Sequence, residues 1–169
     1  MQKPDWLPDM VSTNGEWNGV LFSLYAIFDR DFKRGRPTLN KMPIWWDQHI
    51  EKDGIYEEGF WHLISKNDQV TKERLFDPRR AERLPWCCPV LTHTHDAAVV
   101  VGDYQEGRRI RTYVWLKEHD YVIVLERRRQ NVGTIAFLIT AYHIDGPSRR
   151  KSLERKLCGG AVKMQSPPN

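Results

Sequence analysis

Arg109-Ile110-Arg111-Thr112-Tyr113-Val114-Trp115-Leu116-Lys117 alternates from residue to residue, and that alternation decides the fold. Ile110, Thr112, Val114 and Leu116 fall on one face, and Arg111, Tyr113, Trp115 and Lys117 on the other, as a strand requires. Working outward, Gln105-Glu106-Gly107 is a turn that joins this strand to an earlier one, Ala97–Tyr104. Glu118-His119-Asp120 turns the chain into Tyr121–Arg127, and Asn131-Val132-Gly133 turns it again into Thr134–Ile144. Each connection is too short for a parallel crossover, so the four strands are expected as an antiparallel meander. Gly146-Pro147 breaks the last strand, and Ser148 is placed to cap a basic helix that ends at Gly159-Gly160. Residues 161–169 are expected as a flexible tail.

The first half carries a different pattern. Pro4, Pro8 and Gly15 mark residues 1–17 as an N-terminal arm. Leu21, Leu24, Tyr25, Phe28 and Phe32 recur at helical spacing, which predicts a helix over 18–34 with Gly35 as its C′ residue. Met42-Pro43-Ile44-Trp45-Trp46 is expected as a short edge strand. Asp77 and Pro78 open a short helix over Pro78–Leu84, closing near Pro85. The fold class is therefore α+β. N-terminal helices pack on a C-terminal four-stranded antiparallel meander with a basic C-terminal helix, in one domain over 18–160.

Composition narrows the class. The 169 residues are 40% hydrophobic and 11% aromatic, enough for a core and against wholesale disorder. No apolar run approaches the roughly 18–20 residues of a membrane helix, and no signal-like apolar segment opens the chain. Three cysteines, two of them adjacent (Cys87 and Cys88), make no disulfide framework. A cytoplasmic protein without a membrane partner is expected. The net charge of +4 is mild, but arginine is clustered at Arg79/Arg80/Arg83, Arg108/Arg109/Arg111, Arg127–Arg129 and Arg149/Arg150/Arg155. Its planar fork suits phosphate, although charge runs also mark plain solvated surface.

A basic α+β domain of this layout suits RNA cleavage without a metal, because the 2′-OH is an internal nucleophile. Such a site needs a base, an acid and a phosphate clamp. His62, among Phe60, Trp61 and Leu63, is the candidate imidazole, with a backbone-bonded core histidine as the alternative. Thr140 and Tyr142 share one strand face and could meet phosphate or leaving group. Arg79, Arg80 or Arg83 could supply the clamp. Arg111, Arg127, Trp86 and Trp115 are the expected substrate-binding residues. His93-Thr94-His95-Asp96 could ligate a metal, but no second His/Cys group stands at zinc-ligand spacing. Phosphate-loop and dinucleotide motifs are absent from the sequence, so no cofactor is expected.

Three segments in order carry a resemblance: Tyr56–Ser65 (YEEGFWHLIS), Phe76–Trp86 (FDPRRAERLPW), and Tyr121–Leu125 followed by Phe137–Tyr142 (FLITAY). Together they resemble the phage-associated branch of the barnase–EndoU–colicin–RelE superfamily of ribonucleases. The resemblance implies a metal-independent endoribonuclease toxin acting on RNA and leaving 2′,3′-cyclic phosphate ends. It also implies an acidic antitoxin or immunity partner. Carried over, the site is His62, one of Arg79, Arg80 and Arg83, then Thr140 and Tyr142. Barnase's glutamate has no obvious counterpart; Glu126 faces away from Arg127 on its strand. Two other classes stay open: a non-catalytic RNA- or protein-binding module, and a metal-dependent hydrolase centred on His93, His95 and Asp96.

Overall fold

The computed structural model of the chain describes residues 2–50 and 54–159, so the expected tail over 161–169 lies outside the described residues. Helix α1 spans Trp17–Phe28, with the Glu16 carboxylate accepting from the amides of Asn18 and Gly19. Its turns run on as a π-helical segment over Asp29–Arg34. Gly35 does not take the left-handed conformation expected of a C′ glycine; Arg36 does, at φ 44°. Strands β1 (Thr38–Leu39) and β2 (Met42–Trp45) follow, then α2 (Glu58–Ile64). A two-stranded hairpin, β3 (Ser65–Asn67) and β4 (Arg74–Phe76), comes next. Helix α3 (Pro78–Glu82) is capped by Asp77 as expected. Pro85, however, stands in the first turn of a further helix, α4 (Leu84–Thr92), where its missing N–H is harmless.

Strands β5 (Val99–Glu106), β6 (Arg109–Leu116), β7 (Tyr121–Gln130) and β8 (Gly133–His143) form the expected antiparallel meander. The sheet is larger than the meander. Its order is β1-β2-β8-β7-β6-β5, and β2 pairs parallel with β8 through Ile44↔Ala136 and Trp45↔Phe137. The fold is therefore α+β, but on a mixed six-stranded sheet, with β2 inside it rather than at its edge. A stretch as short as Met42–Trp45 carries no sequence signal for its partner or direction.

Helix α5 (Gly146–Gly159) covers one face of the sheet. Tyr113, Trp115, Val122 and Val124 are buried on its side of the sheet with Leu153 and Leu157. On the opposite face, Val114, Leu116, Ile123 and Leu125 join the larger core built by α1, α2 and α4. Covering on both faces is why Tyr121–Leu125 is apolar throughout. Two leucines and a few ion pairs seat α5: Arg150 reaches Asp120 at 2.6 Å, and Lys156 reaches Glu106 at 3.0 Å. The arm is docked on the domain. Trp6 stacks on His93 at 4.4 Å and donates to Asp96 at 2.8 Å, Leu7 is buried, and Val11 N donates to Glu82 O.

Candidate functional site

Strand β2 covers only the first half of the outer edge of β8. Beyond it, the end of α2, the β3–β4 hairpin, α3 and the end of β8 enclose a cleft of about 640 Å³. Here the chain brings together His62, Arg80, Thr140 and Tyr142, four of the residues singled out from sequence.

Gly59 seats α2 against the end of β2. A Cβ there would stand 2.8 Å from Trp46 Cβ and 3.0 Å from the Asp47 carbonyl oxygen, and the Gly59 amide donates to that carbonyl. One turn on, His62 is half-buried, with Nε2 4.0 Å from the Glu58 carboxylate. Burial first and then the Arg74 charge push its pKa below the ordinary imidazole value; Asp47 opposes this shift and Arg80 adds to it. His62 is thus neutral at pH 7, the form that accepts a proton.

Arg80 is the arginine of its cluster that enters the cleft. Its Nη1 donates to Ser65 O at 2.8 Å and to Thr140 Oγ1 at 3.1 Å, and Nε lies 3.6 Å from Asp77. Nη2 has no partner among the described residues, which leaves one edge of the guanidinium for an anion. The guanidinium also lies 5.6 Å from the centre of the Tyr142 ring. Burial, reinforced by Tyr113, raises the Tyr142 pKa, so its hydroxyl remains a donor.

Thr140 has a different part from the one expected. It donates its hydroxyl hydrogen to His62 O at 3.0 Å while accepting from Arg80, so it has no donor left for a phosphate. It positions the other two. Arg79 turns outward to Asp145, and Arg83 pairs with Glu82 against the Trp86 ring. Arg111 sits between Glu106 and Glu126, and Arg127 donates to buried Asp103 at 2.6 Å; neither lines the cleft. Trp115 is buried under α5, and Trp86 is buried with its indole N–H on Pro8 O, so neither offers a face to substrate.

The cleft holds groups not picked out from sequence. Lys66 and Arg74 come from the hairpin, whose short strands carry no clear alternation. Arg149 comes from the start of α5 and belonged to a visible basic cluster without a visible direction. His143 follows Tyr142 directly, and its Nδ1 lies 3.4 Å from Asp145. Among the described residues no group of three or more His, Cys, Asp or Glu could hold a metal ion; His93 and Asp96 instead hold Trp6. None of the described helices is long and apolar enough to cross a membrane.

Compared with protein-family models, curated proteins and solved structures, the chain finds no match.

Proposed function

We propose that this protein is a metal-independent endoribonuclease of the barnase–EndoU–colicin–RelE kind, acting in the cytoplasm as a toxin of a toxin–antitoxin or phage-conflict system. One observation carries the reading: a neutral imidazole, an arginine with an open edge and a tyrosine hydroxyl meet in a cleft walled by further cations.

In this reading His62 takes the proton from the 2′-OH, and O2′ attacks the adjacent phosphorus. Negative charge on the phosphorane falls to Arg80 Nη2 and Arg149, with Tyr142 donating. His143, its Nδ1 3.4 Å from the Asp145 carboxylate, gives a proton to O5′ as the P–O5′ bond breaks. One proton is taken and one returned, leaving a 2′,3′-cyclic phosphate and a 5′-hydroxyl. Lys66 and Arg74 attract the strand, and an acidic antitoxin or immunity protein would cover the same cations.

The test is cleavage of cellular RNA by purified protein in EDTA, with the ends mapped. EDTA-resistant cuts with cyclic ends, lost in His62→Ala, are expected. Absence of cleavage by the unaltered chain overturns the proposal.

A further inference from the structure

The sparse seating of α5 leaves a second cavity of about 380 Å³ between that helix and the sheet. Arg80, Tyr142 and Arg149 line both it and the catalytic cleft. Its other walls include Tyr113 and Lys156. We propose that this cavity is a nucleobase pocket that selects a keto base, guanine or uracil, through Lys156; the proposal rests on the ribonuclease reading of the adjoining cleft.

The shape and chemistry match a nucleotide piece by piece. A phosphate on the shared cations leaves its base beside the Tyr142 ring, and a pocket of this size with aromatic and aliphatic walls suits a planar ring. Ile144 and Leu153 complete the apolar lining. The polar discriminator is Lys156. Its Nζ gives one hydrogen to Glu106 at 3.0 Å and one to Tyr113 Oη at 2.9 Å. An ammonium has three, so one donor remains uncommitted among the described residues. Burial works against its charge, but the bonds with Tyr113 and Glu106 hold its pKa above the ordinary lysine value. A donor that cannot accept pairs with guanine O6 or uracil O4 but not with the amino group that adenine presents at the corresponding position.

Nucleoside 3′-monophosphates carry base and phosphate and cannot be cut, so their binding is separable from catalysis. Calorimetry should show the guanine and uracil nucleotides binding about tenfold tighter than the adenine one, as one good base contact provides. Lys156→Met should level the series. Ser152→Trp, on the exposed side of the cavity, should reduce every nucleotide to the affinity of inorganic phosphate while leaving phosphate itself unchanged. Equal binding of all nucleotides and of phosphate overturns the pocket and leaves the nuclease reading intact. Failure of both phosphate and nucleotides to bind overturns both.

Discussion

The Thr140 hydroxyl donates to the backbone carbonyl of His62 at 3.0 Å, which ties the last strand of the sheet to the helix that carries the imidazole. The same oxygen accepts from Arg80 at 3.1 Å. One hydroxyl thus bridges the helix of His62 and the guanidinium of Arg80.

Thr140→Val keeps shape and removes both bonds. Stability should fall by about 1 kcal/mol in denaturant melts, the net worth of an ordinary hydrogen bond, since Arg80 Nη1 still reaches Ser65 O and His62 O. RNA cleavage should fall more in kcat than in KM, and Thr140→Ser should restore it. A valine variant with full kcat removes the positioning role.

The depressed His62 pKa fixes two signs. The acid limb of kcat/KM should lie below 6.5, the ordinary histidine value, because the neutral imidazole is the base. Stability behaves likewise: the unfolded chain binds the proton more readily, so the His62 contribution is complete above 6.5 and falls away through the window down to the lowered value. Arg74→Ala removes a cation that disfavours protonation, so the limb should move to higher pH.

Gly59→Ala forces a methyl against Trp46 and the Asp47 backbone. Overpacking of this kind costs about 1–3 kcal/mol, read from the melting midpoint. The end of β2 and His62 move together, so cleavage should drop beyond what the unfolded fraction explains.

Arg127→Ala separates structure from site. It leaves Asp103, which is 3% exposed, without its cation, at a cost on the order of 3 kcal/mol in a chemical denaturation series. At a temperature where the variant is folded, its kcat/KM should equal that of the unaltered chain. A tenfold loss there would restore Arg127 to the substrate contacts.

Trp115→Ala should cost about 3–5 kcal/mol by the same measurement, as a large buried side chain under α5.

Alternation and turn spacing made the four strands of the meander legible, and helical spacing located α1. The Asp77-Pro78 pair located α3. What stayed hidden depended on contacts between distant residues. Nothing within Met42–Trp45 announces a parallel partner at residues 136–137. The covering of the Tyr113/Trp115 face stayed hidden because α5 carries only two buried leucines among its described side chains to reveal that it lies there. His62, Tyr142 and an arginine of the 79–83 group were legible as chemistry. Arg80 could be told from its neighbours only by the direction of its side chain, and His143 only by where β8 ends.

The pairing of β2 with β8 also governs the order in which the molecule is completed. Ile44 waits for Ala136, 92 residues further along the chain, while the meander closes on local turns. Long closures of this kind come late in folding. The meander should form first, and the cleft should be the last part to become whole, when β2, α2 and α3 close on the edge of a finished β8. Any chain cut before β8 lacks Tyr142, His143 and Arg149, so under the proposed function no partial molecule would cut RNA.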